Sequence, residues 1–247
     1  MQAQRPSEPP PETRAQPSYV PALGFRWLTR LYDPVVRLTM RDARFKARLV
    51  AQAELRAGHR VLDLGCGTGT LTTMLKAACP GAEVAGLDGD RDVLGVARSR
   101  AARLGLQVDF WEALAMDPPF GPDSFDRVVS SLLFHHLLPA DKRRVLDKVF
   151  EMLKPCGELH VADWGRPHGA LMRGAFVAVQ LLDGFSTTAD SVAGLLPAHM
   201  SAAGFGSVSE THRQRTVFGT LAFYRAVKLA DHAGRAVGRP GEGETAP

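Results

Sequence analysis

The chain has 247 residues, of which 45% are hydrophobic and 23% are charged, a composition that is ordinary for a globular protein. The formal net charge is only +4, and the 30 Lys and Arg residues are spread along the chain, which argues against a dedicated nucleic-acid surface. The three cysteines form no C-x-x-C pair, so we expect neither a disulfide framework nor a metal site. The sequence shows neither a membrane span nor a signal peptide, which predicts a cytoplasmic protein.

The two ends of the chain differ in composition from its middle. Residues 1–18 are rich in proline, and residues 231–247 are rich in Gly, Pro, Ala and charged residues, which predicts disordered tails. Between them, we expect one domain over residues 19–230.

Helical and strand periods alternate within this domain. Helices are predicted at 23–40, 42–56, 70–78, 91–104, 140–153, 169–183 and 190–203, and strands at 60–64, 83–87, 107–111, 126–130, 157–163, 207–215 and 218–228. Such alternation is typical of a parallel sheet with helices on both faces. The last two strands are joined by only two or three residues around Val217, so they must be antiparallel. The prediction is therefore an α/β fold with a seven-stranded sheet.

The most informative segment is a strand that runs into a glycine-dense turn, VLDLGCGTGT at residues 61–70. Glycine at three alternate positions permits positive φ angles and removes the Cβ atoms that would keep a ligand away. A second apolar strand ends at Asp88, at the spacing from Asp63 where nucleotide-binding α/β units place the acceptor for a ribose diol. These two signals together indicate a cofactor site.

The spacing inside the loop distinguishes between cofactors. A dinucleotide site reads G-x-G-x-x-G, whereas this loop has glycines at 65, 67 and 69 and an acid two residues before the first glycine. A carboxylate at Asp63 would repel a pyrophosphate and attract a cation.

The chain resembles the class I S-adenosylmethionine-dependent methyltransferases over about residues 25–228. The glycine loop and Asp88 are similar to the cofactor motifs of that family, and SFDRVVSSLLFHHL at 124–137 resembles the fourth strand and its following loop in the small-molecule branch. LKPCGEL at 153–159 resembles the L-K-P-G-G turn, with Cys156 replacing one glycine. The segment 25–33 is similar to the entry segment of ubiquinone and menaquinone biosynthesis methyltransferases. The resemblance implies a Rossmann-like seven-stranded sheet with the last strand antiparallel, and S-adenosylmethionine as cofactor, with S-adenosylhomocysteine as its product.

The resemblance also implies which residues hold the cofactor. Many relatives carry Gly-Asp-Ala after the third strand, where the Asp accepts from the adenine amino group, but here Ala113-Leu114-Ala115 stands in that place. We therefore expect backbone and apolar contacts to adenine there and at Trp111, while a different register would use Glu112 or Asp117. The predicted cofactor-binding residues are Asp63, Gly65, Cys66, Gly67, Thr68, Gly69, Asp88, Gly89, Ala113, Leu114, Ser130 and Ser131.

Two polar residues after the fourth and fifth strands are the predicted catalytic residues. His135 is expected near the acceptor, as a general base if the acceptor must lose a proton, and the alternative is a packed structural histidine. Asp163 is expected to orient the acceptor or a water molecule, unless it only caps a turn. His136 is predicted to point elsewhere, and His160 to lie in the core.

A tetrapeptide suggests a different acceptor. Asp117-Pro118-Pro119-Phe120 matches the D-P-P-[YF] motif of DNA and RNA amino-methyltransferases, which bind a flipped base. In those enzymes the motif follows the fourth strand, whereas here it precedes it, where two prolines make a turn. A nucleic-acid methyltransferase is thus the lesser alternative, and a catalytically silent cofactor-binding protein is another.

Two segments outside the core repeat are predicted to close the acceptor pocket, a helical cap at 19–58 and a lid at 165–205. Residues 171–182 of the lid are apolar nearly all round, so they should pack on both sides or line a hydrophobic pocket, unless they form plain core or a dimer face. This favours a small hydrophobic acceptor, such as a quinone-, polyketide- or lipid-like molecule. We expect a monomer or homodimer.

Overall fold

A seven-stranded sheet lies at the centre of the protein. The structure is a computed structural model that describes residues 42–230. The strands are β1 (Arg60–Leu64), β2 (Glu83–Asp88), β3 (Asp109–Glu112), β4 (Phe125–Ser131), β5 (Leu153–Trp164), β6 (Gly206–Thr216) and β7 (Gly219–Val227). Their order in the sheet is β3-β2-β1-β4-β5-β7-β6. Strands β1 to β5 are parallel, and β7 runs antiparallel to both of its neighbours, which confirms the predicted fold class.

Helices cover both faces of this sheet. The helices are α1 (Asp42–Gln52), α2 (Thr70–Ala78), α3 (Arg91–Arg103), α4 (Pro139–Met152), α5 (Ala170–Asp183), α6 (Phe185–Ala193) and α7 (Leu196–Ala202), with a 3-10 turn at Phe134–His136. Alternate residues of each strand point to opposite faces, so Leu62 and Val128 pack under α4 and α7 while Val61 and Val129 pack under α1, α2 and α5. Among residues 42–230, no helix combines the length and apolar character that a bilayer crossing requires.

Some predicted segments lie outside the described residues. They are the helix at 23–40, the entry segment 25–33, most of the cap at 19–58 and both terminal tails. Within the described range, the first helix ends at Gln52, four residues before its predicted end. The third strand is also displaced, covering 109–112 where 107–111 was expected.

The prediction of one helix over 190–203 is wrong, because the chain breaks there into α6 and α7. Gly194 lies between them with a φ of 72°, a left-handed conformation that ends α6. Pro197 stands in the first turn of α7, where its missing N–H costs nothing. Gly194 and Pro197 are therefore sequence signals for a break between two helices. The helical periodicity that continues across them obscured these signals.

The fifth strand begins at Leu153, four residues before its predicted start. Phe125 pairs with Leu153 but Arg127 pairs with Glu158, so the intervening residues of β5 bulge out of register with β4. Cys156, within this bulge, has a φ of 64° and donates its N–H to the Lys228 carbonyl at 2.8 Å. Glycine adopts such a φ at little cost, which explains why the similar family motif has glycine at this position.

The closing hairpin agrees with the prediction. Thr216 pairs with Gly219, so Val217 and Phe218 alone connect β6 to β7. β7 also pairs antiparallel with β5 along its length, and this brings Leu221 and Ala222 beside the end of β5.

Candidate active site

The predicted site residues meet at one edge of the sheet. Asp63 and Asp88 lie at the ends of β1 and β2, and Ser131 and Asp163 lie at the ends of β4 and β5. Because these four strands are parallel, their carboxyl ends form a single crevice, which is where open α/β sheets bind ligands.

The glycine loop is fastened to the neighbouring strand by its backbone. The N–H groups of Gly65 and Cys66 both donate to the Leu87 carbonyl, at 2.8 and 2.9 Å. A Cβ on Gly65 would lie 2.9 Å from a methyl carbon of Leu133, and one on Gly69 would lie 2.8 Å from Cβ of Ala97. Packing inside the protein therefore accounts for two of the three glycines.

Gly67, at the middle of the loop, is different. Its φ is 53°, and a Cβ built on it would meet no atom within 4 Å. Packing does not require glycine here. The remaining reasons for a glycine at position 67 are its backbone conformation and the approach of a ligand. Its neighbour Thr68 is half-buried in the same loop.

Asp63 is fully buried beneath the loop. Its Oδ2 accepts from the Thr72 hydroxyl at 2.6 Å, but among the described residues its Oδ1 has no hydrogen-bond partner. Burial raises the pKa of this carboxyl to about 6, although the Thr72 hydroxyl and the nearby Lys46 both act to lower it. An unsatisfied buried carboxylate oxygen is costly, so this position suits a ligand that carries positive charge.

Asp88 also faces the loop. Its Oδ2 accepts the Gly67 N–H at 2.8 Å and its Oδ1 accepts the Asp90 N–H at 3.0 Å. Burial raises the pKa of this carboxyl, while these backbone N–H groups act to lower it. A carboxylate oxygen can accept more than one hydrogen bond, so Asp88 retains capacity for ribose hydroxyls. Two acids beside one glycine loop fit a sulfonium and an ammonium and oppose a pyrophosphate.

The segment after β3 lies beside Asp88. The Ala113 N–H donates to the Asp88 carbonyl at 3.1 Å. Leu114, which follows Ala113, and Gly89, which follows Asp88, are both half-buried. Glu112 pairs with Asp88 across the strands, but its side chain is exposed and lies 3.9 Å from Arg91. The structure thus brings the predicted adenine segment to the crevice.

Two of the predicted cofactor-binding residues have side chains that point into the protein interior. The Ser130 hydroxyl is fully buried and donates to the Leu64 carbonyl at 2.9 Å, which joins β4 to β1. Cys66 is buried, with its Sγ 3.0 Å from where a Cβ on Gly86 would lie, and burial raises the pKa of its thiol. Both side chains thus fill space within the fold.

His135 and Asp163 form a pair that the sequence did not predict as such. Nδ1 of His135 lies 2.8 Å from Oδ1 of Asp163, and the two residues are only 4% and 1% exposed. The carboxylate also accepts the N–H groups of Phe134 and Trp164, both at 2.7 Å. The available signal was their position, since His135 follows β4 and Asp163 lies at the carboxyl end of the adjacent parallel strand β5.

The protonation of this pair follows from its contacts. Burial acts to raise the pKa of the Asp163 carboxyl, but the His135 ring and the hydrogen bonds outweigh it and the pKa is lowered. An ionised carboxylate only accepts hydrogen bonds, so Nδ1 of His135 carries the proton between them. Nε2 is then the nitrogen that exchanges a proton with other groups.

Aromatic rings surround the His135 ring. The His136 ring lies against it with 3.9 Å between centroids, so the prediction that His136 points elsewhere is wrong. Burial, with a smaller contribution from the His135 ring, lowers the pKa of His136 to about 3, so His136 stays neutral. Trp164 meets His135 edge to face at 6.3 Å and contacts Phe176 of α5 at 5.4 Å. As predicted, His160 is fully buried in β5.

Comparison with known proteins places this crevice in a family. Residues 61–157 match the family model described as a methyltransferase domain. A demethylmenaquinone methyltransferase of Thermus thermophilus is 39% identical over 138 residues, which are 55% of this chain and 62% of that protein. One from Clavibacter sepedonicus is 34% identical over 192 residues, which are 70% of this chain and 75% of that protein.

Solved structures agree on the fold. YcgJ of Bacillus subtilis superposes with a TM-score of 0.61 at 19% identity, covering 74% of this chain and 97% of that one. The relatives, the sheet order and the acid-flanked glycine loop agree: the chain belongs to the class I S-adenosylmethionine-dependent methyltransferases, and S-adenosylmethionine is its cofactor.

Proposed function

We propose that the protein transfers the methyl group of S-adenosylmethionine to a small hydrophobic acceptor that loses a proton to His135. The His135–Asp163 pair carries this proposal, because it supplies an oriented base at the crevice that holds the glycine loop. Leu133 connects the two halves of the site, since it packs on Gly65 and lies two residues before His135.

Each side of the crevice has a separate task. When bound, S-adenosylmethionine supplies a methyl group already activated on a sulfonium. Asp88 would accept hydrogen bonds from the ribose hydroxyls, Asp63 would stabilise the positive charge of the ligand, and Gly67 would let the ligand approach the backbone. Nε2 of His135 accepts the proton of the acceptor while Asp163 holds the ring and stabilises the imidazolium. Alignment and exclusion of water provide the rest, as an in-line displacement needs.

The walls beside His135 favour an apolar acceptor. Trp164 and Phe176 are both buried and pack edge to face, and Val179 joins the same cluster. Demethylmenaquinone methyltransferases among the relatives are consistent with a flat aromatic acceptor of this kind. We place the acceptor between these rings and the glycine loop.

The D-P-P-F tetrapeptide is better explained by packing. Phe120 lies edge to face between Trp111 at 5.3 Å and Phe125 at 5.0 Å. Phe125, which Phe120 contacts, begins β4, whereas His135 follows the other end of that strand. This arrangement supports a small-molecule acceptor over a flipped nucleic-acid base.

The test is to follow the methyl group. The full-length protein is incubated with methyl-labelled S-adenosylmethionine and with lipid, polar small-molecule, RNA and protein fractions of a cell extract. We expect label in the lipid fraction, and we expect His135→Ala to remove most of it. His59→Ala is the matched control, since His59 precedes β1 at the opposite edge of the sheet and should leave transfer unchanged.

The other outcomes have definite meanings. Label in RNA would restore the tetrapeptide as the functional motif. Tight cofactor binding without transfer to any fraction would favour a catalytically silent binding protein. Undiminished transfer by His135→Ala would return that histidine to a structural role.

A further inference from the structure

Helix α6 covers the catalytic pair. It packs against the 3-10 turn that carries His135 and against the end of β5. Its Val192 packs onto the cluster that contains Trp164. His135 and Asp163 are almost fully buried, so an acceptor can reach Nε2 only if an element that covers the pair moves, and α6 is one such element.

The inner face of α6 contributes little hydrophobic stabilisation. Its buried residues are Thr188 and Ser191, and its one large aromatic residue, Phe185, is exposed. By contrast, α4 buries Val145 and Leu146 with other apolar side chains. Burial of apolar area is the main force that holds a helix on a core, so α6 must be held by something else.

A buried lysine supplies that attachment. Lys142 of α4 is only 2% exposed, and its Nζ donates to the Thr187 carbonyl at 2.8 Å and to Oδ2 of Asp190 at 3.2 Å. Both acceptors belong to α6. The same Asp190 oxygen lies 3.1 Å from Nε2 of His199 on α7, so α6 is joined to α4 and α7 through Asp190. Gln180 of α5 also donates to the Thr188 hydroxyl of α6 at 3.2 Å.

The position of Lys142 is costly for any purely structural purpose. A buried ammonium loses most of its hydration, and an apolar residue of similar size is often as stabilising at such a site. Lys142 also stands in the first turn of α4, where the helix dipole opposes a positive charge. Gly184 and Gly194 lie at the two ends of α6, and both have positive φ. The helical backbone is therefore interrupted between α6 and the helices before and after it.

We propose that Lys142 is a positioning residue that fastens α6 over the catalytic pair, and that the acceptor enters when its contacts with Thr187 and Asp190 open. This inference rests on the proposed role of His135 as the base. It adds that access to His135 is controlled from α4, by a side chain that touches neither donor nor acceptor.

The test measures access to His135 without any acceptor. Full-length Lys142→Met is treated with diethyl pyrocarbonate, and carbethoxylation of each histidine is followed by peptide mass spectrometry. Reaction at His135 should become roughly 10-fold to 100-fold faster, the range expected when hydrogen bonds to a charged group are removed from a closed state. Reaction at His59 is the internal reference and should not change.

Hydrogen exchange identifies the element that moves. The amides of α6 and of the 134–136 turn should exchange faster by a similar factor, while those of α7 and of β4 keep their protection. Lys148→Met is the matched control, because Lys148 lies on α4 but, within residues 42–230, pairs only with Glu151 near the surface. Asp190→Asn keeps the Thr187 contact and should give a smaller increase.

Two results would overturn the proposal. One is unchanged reaction of His135 in a folded Lys142→Met protein. The other is faster exchange throughout α4, α7 and the sheet, which would mean that Lys142 stabilises the whole fold. Neither measurement involves methyl transfer, so either result is distinct from a failure of the proposed function.

Discussion

The two sides of the crevice are built in opposite ways. On the cofactor side, the glycine loop is held by backbone hydrogen bonds to Leu87 and by Asp88, within the parallel sheet itself. On the acceptor side, His135 is covered by α6, which is attached through polar side chains and buries little apolar surface. We therefore expect the cofactor half to be rigid, because its contacts belong to the sheet, and the acceptor half to open, because its contacts do not.

This difference suits the two ligands. The cofactor has the same shape in every turnover, so a preformed binding site can accept it without a conformational change. The acceptor must enter, be shielded from water and leave as a methylated product, which requires an element of low local stability. Substitutions on the two sides should therefore separate cofactor binding from turnover.

The largest effect is expected on the acceptor side. His135→Ala should slow methyl transfer by roughly 10²-fold to 10⁴-fold, because a general base contributes about that much. Asp163→Asn should also slow methyl transfer, because the asparagine no longer fixes the proton on Nδ1 of His135. Single-turnover rates measure both. Calorimetry should give nearly wild-type affinity for S-adenosylmethionine, and a large loss of affinity would contradict the separation of the two sides.

On the cofactor side, Gly67→Val should reduce S-adenosylmethionine binding more than any other single change in the loop. The branched side chain would occupy the space above the loop and strain a φ of 53°. Gly67→Ala should bind weakly but remain folded. Gly105→Ala is the control for strain, because Gly105 has a φ of 66° and equally open surroundings. Wild-type affinity in folded Gly67→Val would show that the loop does not touch the ligand.

Asp63 links the cofactor side to pH. Its pKa in the folded protein is about 6, above the ordinary value of 3.8, so ionisation is unfavourable in the native state. Stability from the protonated form is present below pH 4 and is lost as pH rises through 6. Cofactor-free Asp63→Asn should thus gain up to about 3 kcal/mol over wild type at pH 7 and nothing below pH 4.

Urea unfolding between pH 4 and 8 measures this difference. Asp126→Asn provides a control of opposite sign. Burial acts to raise the pKa of Asp126, but Lys154 and the Arg60 N–H outweigh it, so its carboxylate stabilises the native state. Its removal should destabilise the protein at pH 7, with an effect that disappears in acid. A pH-independent gain in Asp63→Asn would rule out the buried charge as the cause.

The smallest effect is expected for Asp88→Ala. Loss of charge-assisted hydrogen bonds to the ribose should weaken S-adenosylmethionine binding by about 1.5–3 kcal/mol. Part of this loss comes through the Gly67 N–H, which Asp88 also binds. Asp90→Ala is the matched control, because Asp90 caps α3 and should cost stability without affecting affinity. Equal affinity in Asp88→Ala and wild type would remove Asp88 from the site.

The sequence by itself predicted where the glycine loop, Asp63 and Asp88 lie, at the ends of β1 and β2. The glycine loop depends on local backbone conformation, and the positions of Asp63 and Asp88 depend on the spacing between two strands that follow one another along the chain. A sequence pattern shows both of these features. The closing hairpin was predictable for the same reason, since so short a connection at Val217 allows one arrangement. The break at Gly194 was equally local and was missed only because helical periodicity ran across it.

Only the tertiary structure decided the acceptor side. His135 and Asp163 are 28 residues apart, and their hydrogen bond exists because β4 and β5 are neighbours in the sheet. Lys142 and Asp190 are 48 residues apart, and nothing in their local sequence distinguishes them from exposed charged residues. Contacts between side chains on different elements depend on how those elements pack, and a sequence pattern reports the periodicity of each element but not its partner.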